Sequence, residues 1–227
     1  MDNPSRVNHS RPISLTNFNY KILSTKFKPI LQKLISPMQL AFLKGRSIHD
    51  NTVLTHEIFH SMKHKQGRKG LMAVKLDIEK AFDSMEWGFL LEIIKLLGFS
   101  SIWINWIYQC ISTSSFSILP DGSPFGFFQP SHGLRQGDPL SPFLFILSSE
   151  VLSRLLLKEE QLGNLHGIKM SRNSQISHLL FVDDIMIFSK ATKREANSIL
   201  KCLSTYSIWS GQKLNVSKSS LFLNNTI

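Results

Sequence analysis

Residues 176–189, ISHLLFVDDIMIFS, constrain this chain more than any other stretch. Residues 179–182 form one apolar run and 185–188 another, each of strand length and rich in residues that favour strands. Asp183 and Asp184 stand between them, and aspartates suit tight turns, so the stretch predicts a β-hairpin with two acids at its tip. Two carboxylates held side by side between buried strands repel each other, and a divalent cation relieves that repulsion. An isolated Asp-Asp pair is more commonly a solvated turn. What else the chain brings to the same place decides between the two.

Residues 1–16 are polar, and 1–10 read as a disordered lead. From Asn17 a helical period sets in, with Tyr20, Leu23, Phe27, Ile30, Leu31 and Leu34 on one face. Pro29 is expected to break or kink it. A second helix is expected over about 51–65, carrying Val53, Leu54, Ile58 and Met62 and ending near Gly67. It contains His56, Glu57 and His60, a match to H-E-x-x-H. A zinc site would also need a third ligand and an open water position. Lys63 and Gln66 stand where the longer pattern requires Gly and His. A solvated, weakly basic helix face is the better account.

Residues 71–76 read as a buried strand with Asp77 at its end, where the chain turns into a helical pattern. Helices are expected over 86–97 and 101–111, split by Gly98, with Trp103, Trp106, Ile107, Cys110 and Ile111 as a core stripe. Residues 116–128 predict a hairpin turning at Asp121 and Gly122. PSHGLRQGDPLSP, 130–142, then leads into an amphipathic helix from Pro142 to about Glu160. Its turn places backbone N–H groups where an anion or a nucleobase could approach; the alternative is a rigid connector. Thr192 and Glu195 form a capping box that opens a helix ending around Gly211. A last short strand over 213–216 precedes Lys218.

The 26 Lys and Arg exceed the 16 Asp and Glu, a net charge of +10 that favours a polyanionic partner. Nucleic acid comes first and an anionic membrane surface second. Cys110 and Cys202 are too few and too far apart for a disulfide framework or a cysteine-based zinc site. The polar N-terminus is unlike a signal peptide, and the most apolar run, 143–157, is broken by Glu150 and Arg154 and too short to span a bilayer. The chain reads as soluble and intracellular.

Three acids therefore stand on two strand-like segments: Asp77 at one strand end, and Asp183 with Asp184 at a hairpin tip. Side by side, these segments would gather the acids into a two-metal site, where one cation activates a 3′-hydroxyl and the other steadies departing pyrophosphate. Mg²⁺ fits best, since it takes carboxylates, substrate phosphates and water. Six stretches then carry a resemblance: RPISLTNFNYKI, QLAFLKGRSIHDN, KLDIEKAFD, GLRQGDPLSP, HLLFVDD and SGQKLNVSKS. In this order, over about residues 11–222, they resemble the reverse transcriptase domain of a non-LTR (LINE-type) retrotransposon, more particularly of the plant kind.

That resemblance implies an α+β right-hand polymerase fold over 11–227, with an antiparallel palm sheet packed on helices. Residues 11–70 would be mainly fingers and 71–227 mainly palm. It implies an RNA-directed DNA polymerase that uses Mg²⁺ or Mn²⁺ and dNTPs to extend a DNA primer on an RNA template, working in the nucleus. Asp77, Asp183 and Asp184 would be its metal-binding catalytic triad. Phe82 would be the bulky gate that rejects a ribose 2′-hydroxyl, and Arg46 would touch the incoming triphosphate or template. Gly133, Arg135, Gln136 and Gly137 would shape the nucleotide and template pocket, and Lys218 would protonate pyrophosphate. The HEIFH match becomes a coincidence in the fingers. Two residues depart from the family's pattern: Val182 for Ala, a small change on an apolar strand, and His132 for Arg, weakening phosphate contacts. With no endonuclease region before it and no thumb or zinc knuckle after it, the chain reads as a truncated copy. The alternative is an inactive remnant that only binds nucleic acid.

Overall fold

The computed structural model describes residues 18–64, 70–118, 122–171 and 174–224. The first helices are α1 (Phe18–Leu34) and α2 (Ile48–His64), followed by strands β1 (Leu71–Leu76) and β2 (Ile78–Glu79). Helices α3 (Trp87–Leu96) and α4 (Ser101–Ser112) lead to the hairpin β3 (Phe116–Ile118) and β4 (Phe125–Phe128). The long helix α5 (Ser141–Gln161) precedes β5 (Ile168–Ser171), β6 (Ser174–Ile176), β7 (His178–Phe181) and β8 (Asp184–Lys190). Helix α6 (Lys193–Ser210), β9 (Lys213–Leu214) and β10 (Ser220–Leu223) complete the order.

Strands β7 and β8 form the expected hairpin, β8 pairs with β1, and β1 with β10, all antiparallel, giving the order β10-β1-β8-β7. Both faces are covered over β1, β7 and β8, which is why these strands read as largely apolar runs rather than as alternation. On one face Met72, Leu76, Leu180, Ile185 and Ile187 meet Leu144, Phe145 and Leu147 of α5, with α3 and α6 alongside. On the other, Leu71, Ala73, Leu179 and Phe188 meet Ile58 and Met62 of α2 and Ile168 and Ile176 of the β5–β6 ribbon. Helix α5 is the centre of the molecule: residues 143–150 are all buried, as an all-round apolar helix must be. The one acid in that run, Glu150, accepts the Ser36 amide at 2.9 Å and Arg154 Nε at 3.1 Å, tying the end of α1 to the core.

Several expectations are corrected. Helix α1 runs unbroken through Pro29, which lies on its exposed face, so the Thr25 carbonyl left without an amide is open to water. Helix α2 begins at Ile48, earlier than expected, because Asp50 accepts the Ser47 amide at 3.1 Å and closes its first turn. No helix follows Asp77: Ile78 and Glu79 pair with Leu214 and Lys213, Lys80 takes a φ of 46°, and helix returns only at Trp87. The final strand is split, since β9 stops at Leu214 and residues 220–223 form β10 on the edge of the main sheet. Of the aromatic stripe on α4, Ile107 and Ile111 are buried but Trp106 is half exposed. The capping box is half made: Thr192 Oγ1 accepts the Glu195 amide at 3.3 Å, while the Glu195 carboxylate accepts the amides of Lys190 (3.0 Å) and His166 (3.1 Å) instead. The 1–10 lead, the end of α2 near Gly67 and the turn residue Asp121 lie outside the described residues. Among those described, no helix is long and apolar enough to cross a membrane.

His178, on β7, is fully buried, with Nε2 2.7 Å from Ser153 Oγ and Nδ1 3.0 Å from Ser177 Oγ. Burial pushes the imidazole down to about 4. Below the ordinary histidine value the unfolded chain takes up a proton that the folded chain refuses until about pH 4. Stability is therefore lost as pH falls through that window, by about 3 kcal/mol from this group alone. Urea unfolding from pH 7.5 to 4 is expected to show this loss in the wild type and its absence in His178→Gln.

Candidate active site

A polar cleft of about 690 Å³ opens between the end of β1, the β7–β8 turn, the 133–137 segment and the turn before β10. Asp77, Lys80, Phe82, Asp83, Arg135, Gln136, Gly137, Asp183, Asn215 and Lys218 line it. Asp77 leaves β1 just past the Leu76–Ile185 pair. Its amide donates to Ser219 Oγ at 3.3 Å and its carbonyl accepts from the Asn215 amide at 2.8 Å, so the 215–219 turn clamps it from both sides. The same turn carries Lys218, whose amide donates to the Asn215 carbonyl at 3.2 Å.

Phe181 pairs with Asp184, so the connecting turn consists of Val182 and Asp183, and Asp184 is already on the strand. Val182 takes a φ of 56°, a conformation that a β-branched side chain adopts only under strain of order 1–3 kcal/mol. Val182 is thus a turn residue rather than a strand residue, and its departure from the family's pattern is a backbone matter. Burial, with the charges of Asp184 and Asp77, pushes the Asp183 carboxyl above the ordinary carboxylate range, against its own backbone amide and the Lys218 ammonium. Asp184 lies elsewhere. Half exposed, it sits 3.5 Å from Lys75 Nζ and does not line the cleft.

The glycine-rich segment is hung on the stretch after Asp77. The Gly133 amide donates to the Met85 carbonyl at 2.7 Å and the Leu134 amide to the Phe82 carbonyl at 2.7 Å. Trp87 Nε1 donates to the Gly133 carbonyl at 2.6 Å. Phe82 is held from behind by Phe145, stacked at 4.8 Å between centroids. Arg135 donates to Ser114 Oγ and to Tyr20 Oη, and lies over the Tyr20 ring at 5.3 Å. Gln136 Nε2 donates to Asp83 Oδ1 at 3.1 Å. The start of α5 is closed by the chain's own anion: Asp138 accepts the Leu140 amide at 2.8 Å and the Ser141 hydroxyl at 3.3 Å. An incoming anion would therefore meet Lys80, Arg135 and Lys218 of the cleft rather than that helix end.

Arg46 is not in the cleft. Its guanidinium donates to the carbonyls of Ile35 (3.2 Å), Ser36 (2.6 Å) and Gln39 (2.5 Å), pinning the chain that leaves α1. Asp83, Ser114, Asn215 and Ser219 hold or line the site without having been singled out. Asp83, Asn215 and Ser219 do lie within the matched stretches KLDIEKAFD and SGQKLNVSKS, which was the available signal.

Among the described residues no three His, Cys, Asp or Glu side chains are gathered to hold an ion by themselves. Asp77 and Asp183, facing a cleft open to substrate, are still a fitting donor set, because Mg²⁺ is commonly held by one or two carboxylates together with substrate phosphates and water.

The chain matches the family described as Reverse transcriptase (RNA-dependent DNA polymerase) over residues 2–226. It is 58% identical over 65 residues to an uncharacterized mitochondrial protein of Arabidopsis thaliana, covering 28% of this chain and 53% of that one. It is 29% identical over 211 residues to a retrovirus-related Pol polyprotein from a type-2 retrotransposable element of Drosophila melanogaster, covering 92% of this chain and 19% of that one. Among solved structures it resembles apo telomerase of Candida tropicalis, truncated from the C-terminal domain, with a TM-score of 0.63 at 14% identity, covering 90% of this chain and 40% of that one. The chain thus spans between about a fifth and a little over half of the length of these relatives.

Proposed function

Because the chain belongs to the reverse transcriptase (RNA-dependent DNA polymerase) family, we propose that it is the RNA-directed DNA polymerase core of a retrotransposon protein, adding dNMPs to a DNA primer on an RNA template. The observation that carries this reading is the meeting of Asp77 and Asp183 in one cleft with Lys80, Arg135 and Lys218. Residues up to about 70 would serve mainly as fingers and the remainder as palm.

A divalent cation held by Asp77 and Asp183 would supply Lewis-acid activation of the primer 3′-hydroxyl and charge neutralisation at the departing pyrophosphate. The three cations of the cleft would bind the triphosphate, and Lys218, whose charge acts on Asp183, would give a proton to pyrophosphate. Asp183, held above the usual carboxylate range by burial and its acidic neighbours, would be relieved by the cation. Arg46 would act on the nucleotide only at a distance, through the loop that it ties to α1. Magnesium- or manganese-dependent extension of a DNA primer on a defined RNA template tests the reading. RNA binding that weakens steeply with salt, without any extension, would leave only a nucleic-acid binder.

Phe82 would discriminate against ribonucleotides because its ring, backed by Phe145, cannot yield to a 2′-hydroxyl. Phe82→Val is expected to raise rNMP relative to dNMP incorporation roughly 10–100-fold. Competition between rNTP and dNTP in single-nucleotide extension measures it, and an unchanged ratio would remove Phe82 from this role.

A further inference from the structure

Resting on the reading of Asp77 and Asp183 as metal-binding carboxylates, we propose that Lys75 is a positioning residue that withholds Asp184 from them until a cation draws it away. Successive residues of a strand point to opposite faces. Asp184 therefore shares the face of Met186 and Phe188, the side covered by α2, and Lys75 shares the face of Leu71 and Ala73 on the same side. Lys75 is paired in register with Met186, two residues beyond Asp184, so the two charged side chains lie diagonally across neighbouring strands. Their charged atoms are 3.5 Å apart and both side chains are about half exposed, at 51% and 55%.

An ion pair so open to water contributes little to stability, so holding the fold together is a poor reason for it. Its effect falls on the charge balance of the centre. Asp184 lies next to Asp183, whose carboxyl is already crowded by acidic neighbours. Pairing Asp184 with an ammonium quiets that repulsion while the centre holds no cation. Binding of a dication then has to displace or outcompete the ammonium, which keeps metal affinity modest in the absence of nucleotide. The triphosphate, which brings ligands of its own, tips the exchange. Asp184 is free to turn toward the metal only once Lys75 lets go.

Direct Mn²⁺ titration of the nucleotide-free chain, read by electron paramagnetic resonance of unbound Mn²⁺ at low ionic strength, tests this. Lys75→Met is expected to bind Mn²⁺ roughly three- to tenfold tighter than the wild type, the size expected for freeing one carboxylate from a solvent-exposed ion pair, with the gain shrinking at high salt. Lys75→Arg is expected to match the wild type. In an Asp184→Asn background the gain from Lys75→Met is expected to vanish, because no carboxylate remains to be released. A Lys75→Met chain that binds Mn²⁺ no tighter than the wild type, or a gain that persists with Asp184→Asn, overturns the proposal while leaving the metal centre standing. No Mn²⁺ binding by the wild type at millimolar metal, or binding untouched by Asp183→Asn, overturns the metal-centre reading and this proposal together.

Discussion

Asp183→Asn is expected to lower metal-dependent primer extension by at least about 10³-fold while leaving RNA affinity unchanged. The substitution keeps the shape of a side chain in a tight two-residue turn and removes only its charge. That charge faces the cleft with Asp77 and Lys218, so its loss falls on metal and phosphate rather than on packing. The fold should not suffer. A carboxyl whose pKa is raised by folding costs stability once pH exceeds the ordinary carboxylate range, and the amide removes that cost. The variant should therefore unfold at the same or slightly higher urea concentration at neutral pH. Primer extension on an RNA template, with RNA binding measured in parallel at fixed salt, decides the matter. Extension at the wild-type rate by the variant would remove Asp183 from the chemistry. No extension by either chain, with equal RNA binding, would mean that the fold is present and the activity is not.

Gly133→Ala is expected to destabilise the fold strongly beside the cleft. Gly133 takes a φ of 92°, and a Cβ there would stand 2.7 Å from the Asp83 carbonyl oxygen, closer than real Cβ atoms come to backbone. The 133–134 segment would have to move away from residues 82–85, loosening the Gly133–Met85, Leu134–Phe82 and Trp87–Gly133 hydrogen bonds together. The expected loss is about 2–4 kcal/mol, a large fraction of the 5–15 kcal/mol typical of a domain. Under the proposed function, primer extension should fall with it, since Phe82 and Arg135 sit on the segments joined by those bonds. Gly163→Ala is the control: its φ is 70° but open space surrounds it, so only about 1 kcal/mol is at stake. Urea midpoints of the two variants separate strain from close approach. Equal losses would sink the packing argument at Gly133.

Much of this was legible from local pattern. Helical periodicity located α3, α4, α5 and α6 to within a few residues, and the apolar runs around Asp183 marked the β7–β8 hairpin. The order of six short stretches pointed to the reverse transcriptase family, with which the match over residues 2–226 agrees. Errors arose where a local rule met a tertiary partner. Pro29 broke nothing because the carbonyl that it orphans faces water. The helix expected after Asp77 was displaced by pairing of Ile78 and Glu79 with a strand over a hundred residues later. Glu195 abandoned the reciprocal half of its capping box for the amides of Lys190 and His166, which only folding brings near. Strand β10 went unread because its residues are exposed and its pairing with β1 is the whole reason it is a strand.

By itself the sequence determined the residue types and the family: acids flanked by strand-forming runs, a glycine-rich segment ahead of a buried helix, and a surplus of cations. Tertiary structure alone decided which of those charges meet. Asp77 and Asp183 reach one cleft, Asp184 goes to Lys75, Asp138 takes the helix end in place of an incoming anion, and Arg46 stays with the carbonyls after α1. The physical reason is register. Neighbouring strand residues point opposite ways, and which distant side chain stands across from each is set by hydrogen-bonded pairing between segments far apart in the chain.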